Sequence, residues 1–535
     1  MKGQIPSHQS KSSAGRGRPR KVEDGLPRTP ATGTSWKTIL GNLFGIDPRS
    51  LAVFRMAMGA LLLADLAIRA TDLNAMYTDD GMFSRVIICR HVTTMWNWSF
   101  HFGSGAWGYQ VMLFGIAAVL ALALLVGFET RLAAIGSWLM LVSLHHRVPP
   151  ILSGADLLLR MLLFWAMFLP LERVWSLDRW LSRRRGTAAI NGGEGVVLSV
   201  ASAAILLQMA QMYFFSAIFK SNSGWARGEV VAGALAHSFY ANPWGAYLLR
   251  YPRLLTGITW GTFVLEWTAP LLLFIPKATA RVRLAAVAAL AAMHVGIGIC
   301  LEVDLFSPVA LAGLTLFLPA EVWRGHWLAR FSPASDPVDS LADKERRGPK
   351  ARPPLDYVTQ GACLLFLICV IVININGLPS HLLARDASVK PGFFRTACGL
   401  GQKWNMFDEI PSKNGWYVAV AKLKDGAAVD LLRHGAAVDW NQPPFPAALY
   451  PNCRWRKCFR EMAYEDELGY QVFRVPVAEF LCRDWNRRNP AEKQVAEFDF
   501  IYCTPSQAGI ADKSNVQLTF RERLAHLDLS GSESD

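Results

Sequence analysis

Lys220 closes an apolar run, YFFSAIFKSNSGW from Tyr213 to Trp225, and is followed at once by serines, an asparagine and a tryptophan. A lysine at the end of an apolar helix has two uses. Its stem can run along the hydrocarbon and carry the ammonium to the headgroups as an anchor. Held in an apolar cavity instead, its neutral form is favoured, and a neutral amine is a competent base. The residue type leaves both uses open. Upstream in the same run, Gln208, Gln211 and Tyr213 could line a cavity or join helices by hydrogen bonds. His294 stands in another apolar run, where an imidazole can orient a substrate, shuttle a proton or be satisfied within a packed core. Arg55 and Asp65 fall in a first apolar run. The stretch SLHHRVPPILSGADLLLR, Ser143 to Arg160, adds His145, His146, Arg147, Asp156 and Arg160. Asp156 and Arg160 are four apart, on one helical face. With Arg55 and Asp65 they read as internal pairs that hold helices together. Ionisable groups are costly inside hydrocarbon, so each of these positions is marked for function or for burial within a bundle.

The elements that carry these residues are membrane spans. Hydrophobic residues make up 52% of the 535 and charged residues only 18%, with 19 Trp and 29 Phe, too apolar for an ordinary soluble chain. A span needs about 20 mostly apolar residues. Candidates are Leu51–Ala70, Tyr109–Phe128, Leu132–Leu144, Leu157–Leu171, Val196–Phe219, Thr256–Ile275, Leu284–Leu301, Phe306–Leu318 and Gly361–Ile375. That is about nine crossings, several of them short, as suits a bundle whose helices pack on one another.

Charge orients the spans. The net charge of +13 is concentrated in the N-terminal tail and alternate loops, with Arg131, Arg179, Arg183–Arg185, Lys277, Arg281, Arg283 and the basic stretch 321–357 on one side. Asp79, Asp80, Asp156 and Asp304 fall on the other. The positive-inside rule puts the N-terminus in the cytoplasm and, with an odd count, the C-terminal region outside it. The segment GRGRPRK, Gly15 to Lys21, could lie in an A·T-rich minor groove. One short copy beside membrane spans reads instead as a basic tail facing anionic lipid. Membrane lipids are the expected partners, and nucleic acid is not.

Beyond Gly377 the character changes. GWYVAVAKL (Gly415–Leu423), AAVDLLRHG (Ala427–Gly435) and EFDFIYCT (Glu497–Thr504) read as strands. PVAEFLCRDWNRR (Pro476–Arg488) reads as a helix, with Val477, Phe480, Leu481 and Trp485 at three- and four-residue spacings. Cys398, Cys453, Cys458, Cys482 and Cys503 all fall here, where disulfides can persist. The number is odd, so at least one stays free in a single chain, and the pairing of the rest is open. Cys453 and Cys458 lack the tight knuckle and the second pair of a zinc site, and no metal is expected.

The expected fold is mostly α, a polytopic transmembrane bundle with an extramembrane α+β domain. Its divisions are a disordered basic tail at 1–40, the bundle at 41–322, a basic linker at 323–358, a last span at 359–377, the α+β domain at 378–525 and an acidic tail at 526–535.

Several motifs together resemble a known family. They are MYTDDG (Met76–Gly81), the Ser143–Arg160 stretch, FLPLERVWSLDRW (Phe168–Trp180), the Tyr213–Trp225 run and the segment His294–Pro319. QKWNMF (Gln402–Phe407) and YPNCRWRK (Tyr450–Lys457) add to them. The chain resembles the HTTM (horizontally transferred transmembrane) domain shared by vitamin K-dependent gamma-carboxylases and many bacterial relatives. The resemblance implies quinol-linked chemistry, with reduced vitamin K or another quinol as cofactor and a peptide or small acidic substrate. It sets Lys220 on the family lysine that deprotonates the quinol, with Trp225 at the family spacing. His294 would orient groups or shuttle protons. Gln211 and Tyr213 would line the cavity, and Trp225, with Trp96 and Trp98, would seat a lipid-like cofactor. His146 joins the cofactor-binding candidates. Arg173 stands where the carboxylases carry a histidine, ahead of Trp175-Ser176-Leu177-Asp178. An arginine stays protonated and shuttles protons poorly, although it can hold an anion. The C-terminal region is also shorter than the carboxylases' lumenal portion, which weighs against carboxylation of protein glutamates. An inner-membrane location is the natural expectation. The competing reading is a non-enzymatic scaffold or assembly factor that binds a partner through its exported domain.

Overall fold

The computed structural model describes residues 36–186, 195–275, 279–324, 354–379, 392–409, 414–463, 469–505 and 519–529. The GRGRPRK tail, most of the basic linker and the final acidic residues lie outside the described residues.

Apolar runs become helices where the sequence places them. They are α1 (Pro48–Ala70), α2 (Trp107–Val126), α3 (Thr130–Arg147), α4 (Gly154–Ala166), α5 (Val200–Phe219), α6 (Pro252–Leu272), α7 (Thr279–Cys300), α8 (Phe306–Leu314) and α9 (Pro354–Asn376). Five of them, α1, α2, α5, α7 and α9, are long and apolar enough to cross a membrane. Asp47 caps α1 through Arg49 N, with Pro48 in its first turn. Ser199 and Ser202 cap α5 reciprocally. A short helix at Trp36–Phe44 includes the last residues of the segment expected to be disordered. The last span begins at Pro354, earlier than expected.

Close contact between α1 and α2 depends on Gly59, where a Cβ would stand 2.7 Å from Leu125 Cα. Arg55 seals the end of α2 by donating to Leu124 O and Leu125 O, both at 2.9 Å, and to Trp175 O at 2.6 Å. A cation on terminal carbonyls is favoured by the helix dipole. The sequence reading of Arg55 as one partner of an ion pair gives way to this carbonyl capping.

The C-terminal domain is a five-stranded antiparallel sheet in the order β3-β2-β1-β4-β5. Its strands are β1 (Trp416–Leu423), β2 (Ala428–Asp430), β3 (Ala436–Ala437), β4 (Val495–Pro505) and β5 (Thr519–Asp528). The strand expected over Ala427–Gly435 is cut short by a 3-10 turn at Leu431–Arg433, which Asp430 caps through Leu432 N. β5 carries the sheet past residue 526, where a loose tail was expected. Two helices accompany the sheet, α10 (Cys453–Ala463) and α11 (Arg474–Arg488).

The domain is not a bead on a tether. Met76, Tyr77, Met82 and Phe83 from the α1–α2 connection share one core with Tyr417, Phe459, Phe473 and Phe500. Phe83 meets Phe473 edge to face at 5.0 Å. All nine cysteines are free thiols. Burial pushes the Cys482 thiol up to about 12, consistent with packed rather than reactive side chains.

Candidate functional site

Lys220 sits at the C-terminal end of α5 and is buried. Its ammonium does not reach toward headgroups. Nζ lies 2.5 and 2.7 Å from the two carboxylate oxygens of Glu266 on α6 and donates to Ser216 Oγ, one turn back, at 2.9 Å. The Trp225 ring covers the ammonium, with its centroid 5.1 Å from Nζ. Each ammonium N–H direction therefore has a partner, as a buried charge requires.

One further turn back, Tyr213 Oη meets His294 Nε2 of α7 at 2.9 Å. The His294 ring packs on Phe306. Its Nδ1 is buried with no hydrogen-bond partner, as is the hydroxyl of neighbouring Ser307. Three helices thus bring Lys220, Glu266, Tyr213 and His294 into one polar centre inside apolar surroundings.

The remaining candidates lie elsewhere. Gln211 is two residues from Tyr213, hence on the opposite side of α5, and accepts from Asn374 Nδ2 of α9 at 2.9 Å. His146 donates from Nδ1 to Trp98 O at 2.8 Å. Arg173 stands in the turn after α4, beside the Trp175 carbonyl that Arg55 binds. That turn and the start of α5 both cluster at the start of α1, where Ile46 pairs with Val197. The 20 residues of α5 then separate Arg173 from Lys220 by about 30 Å at 1.5 Å per residue.

A second polar centre joins the bundle to the C-terminal domain. Arg69 donates to Asp65 at 2.8 Å, Arg454 donates to Asp65 at 2.6 Å, and both arginines donate to Asp156. Asp304 lies 3.4 Å from Arg454. Arg160, expected to pair with Asp156, donates instead to Gly401 O at 2.9 Å. The two oxygens of Asp156 are already taken by arginines from α1 and α10.

Residues 392–409 form a strap over this end of the bundle. Its carbonyls accept from Trp98 Nε1 (Ala397 O, 2.8 Å), Arg160 (Gly401 O) and Trp225 Nε1 (Phe407 O, 3.0 Å). Gln402 Oε1 accepts from Gln208 Nε2 at 2.7 Å and from buried Trp404 Nε1 at 2.9 Å. The strap therefore spans from His146 and Trp98 to the tryptophan that covers Lys220. Two cavities stand out among the described residues, and neither is lined by Lys220.

Sequence reasoning missed Glu266, although an acid inside the apolar stretch WGTFVLEWTAP is the signal that flags a buried partner. It also missed α10, whose Trp455, Phe459 and Met462 carry helical spacing through a charged segment.

A chain with several apolar crossings and buried ion pairs between them is a polytopic membrane protein. The HTTM domain matches residues 45–323, more than half of the chain, and the protein belongs to that family. No curated protein and no solved structure matches it.

Proposed function

We propose that the Lys220 centre carries quinol-linked chemistry of the kind the resemblance to vitamin K-dependent gamma-carboxylases implies, with Lys220 as the base. The observation that supports this most is the buried pair of Lys220 with Glu266 beside Tyr213 and His294. Acting as the base, Lys220 would do so as a neutral amine, and Glu266, 2.5 Å from Nζ, is the group placed to take its proton. That amine accepts a proton from a hydroxyl, and the Tyr213–His294 bond offers a second place to hold or pass one.

The orphaned His294 Nδ1 and Ser307 Oγ, with Phe306 alongside, fit a ligand that has hydroxyl groups on an aromatic body. When bound, a quinol would supply an ionisable hydroxyl and a source of electrons for oxygen. Tyr213, His294, Ser307 and Trp225 would position it. The strap must loosen for such a ligand to enter.

The same reading places about nine crossings in an inner membrane, with the N-terminus cytoplasmic and the C-terminal domain on the far side. The test supplies reduced vitamin K and other quinols, with oxygen, to protein in nanodiscs and reads epoxide or quinone by mass spectrometry. Lys220-dependent turnover supports the reading. Folded protein that turns over none of them contradicts it.

One observation favours the scaffold alternative. β5 is a terminal strand of the sheet and exposes Phe520, a surface that strand addition could use. Capture of a partner by the C-terminal domain, with no quinol turnover, would be its outcome.

A further inference from the structure

We propose that the cleft between the bundle and the C-terminal domain binds a small zwitterion of the phosphoethanolamine type, free or as a phospholipid headgroup. The cleft is a cavity of about 520 Å³, within the size range of ligand sites. It lies apart from the Lys220 centre, and the inference does not rest on the reading given to that centre.

Its charged lining comes from both parts of the molecule. Glu302 and Asp304 follow α7, and Arg456 comes from α10. Asp304 has a side chain only 5% exposed, and its Oδ2 accepts no hydrogen bond, with Arg454 the nearest cation at 3.4 Å. It holds this place at φ +61°, a left-handed conformation that aspartate adopts more readily than most residues. Arg456 donates to Glu302 O at 2.6 Å, while the Glu302 carboxylate stays loosely paired at 3.7 Å and half exposed.

Glu302 thus presents the accessible carboxylate beside the Arg456 guanidinium, and Asp304, turned toward Arg454, adds negative charge behind it. A ligand ammonium would be drawn to Glu302 and Asp304, and an anionic group to Arg456, which suits phosphate geometry. Beside these groups the wall is apolar, with Ile68 from the end of α1, Leu305 and Phe445. Charge on one side and an apolar wall on the other match a headgroup continued into the acyl chains of a phospholipid. They match a free zwitterion less fully.

The full chain is tested in two ways. In nanodiscs of phosphatidylglycerol alone, it is titrated with O-phosphoethanolamine by calorimetry. In nanodiscs that also hold phosphatidylethanolamine, it is released for native mass spectrometry. The expected result is one bound O-phosphoethanolamine or one retained phosphatidylethanolamine, weakened about tenfold or more by Glu302→Gln. Ala448→Trp, at an exposed wall position, should abolish binding by filling the space and should leave the fold intact. Uptake of the free zwitterion marks a soluble ligand, and retention of the lipid alone marks the headgroup. Binding that survives Ala448→Trp, or folded wild-type protein that holds neither probe, overturns the proposal.

Discussion

Lys220 Nζ and Glu266 Oε1 stand 2.5 Å apart across α5 and α6, each side chain only 6% exposed. Breaking a buried pair from one side leaves an uncompensated charge, which costs about 3–5 kcal/mol. Glu266→Ala should lower stability in detergent by that amount. The double variant Lys220→Met/Glu266→Leu should recover most of it, because replacing both charges with apolar groups removes the desolvation cost. Thermal unfolding of the three proteins decides. Equal losses in the single and double variants would mean that the pair is not the source.

Arg454 holds the C-terminal domain to the bundle through Asp65 and Asp156. Arg454→Met leaves the two aspartates with Arg69 as their one arginine and should cost about 3–5 kcal/mol. Limited proteolysis is the second readout. The variant should be cut faster between the last span and β1, whereas a weak peripheral contact would leave the digestion pattern unchanged.

Much of this architecture was legible in the sequence. The apolar helices came through, five of them long and apolar enough to cross a membrane, because hydrocarbon demands a length and composition that few soluble segments share. Lys220, Tyr213 and His294 were legible as polar residues in apolar runs, and the structure brings their two helices together. What was not legible was pairing across the chain. The helical spacing of Asp156 and Arg160 suggested a local bond, but Arg454 lies 298 positions away and no periodicity reports such a contact. Glu266 was visible in principle. QKWNMF showed a motif without a role, because the partner of its Gln402 side chain, Gln208, lies 194 positions away and Phe407 acts through its backbone carbonyl.

Gln402 carries the middle of the strap. Gln402→Ala strands Gln208 Nε2 and Trp404 Nε1, both now donating to one oxygen. A buried unsatisfied group costs about 1–3 kcal/mol, so the melting temperature should fall. Gln402→Met keeps the volume and loses the acceptor, so its melting temperature should fall as well. A Gln402→Met protein as stable as wild type would contradict a stabilising role for the acceptor.

His101 lies in the turn between α1 and α2, where burial, with Arg147 and Arg69 nearby, holds its imidazole at about 4 despite the hydrogen bond to Gln110. The folded value is below the ordinary 6.5, so the folded protein binds fewer protons than the unfolded chain. The neutral imidazole's contribution is full above about 6.5 and is lost as pH falls toward 4. Thermal unfolding between pH 7 and 4 should show a steeper loss for wild type than for His101→Gln. Parallel curves would mean that His101 does not titrate in this way.

The most direct test of the central claim is quinol turnover by Lys220→Ala with added small primary amines. A loss of at least about a hundredfold is expected, within the range for a removed general base, with partial recovery that follows the basicity of the added amine. A Lys220→Ala protein that turns quinol over at the wild-type rate would contradict it.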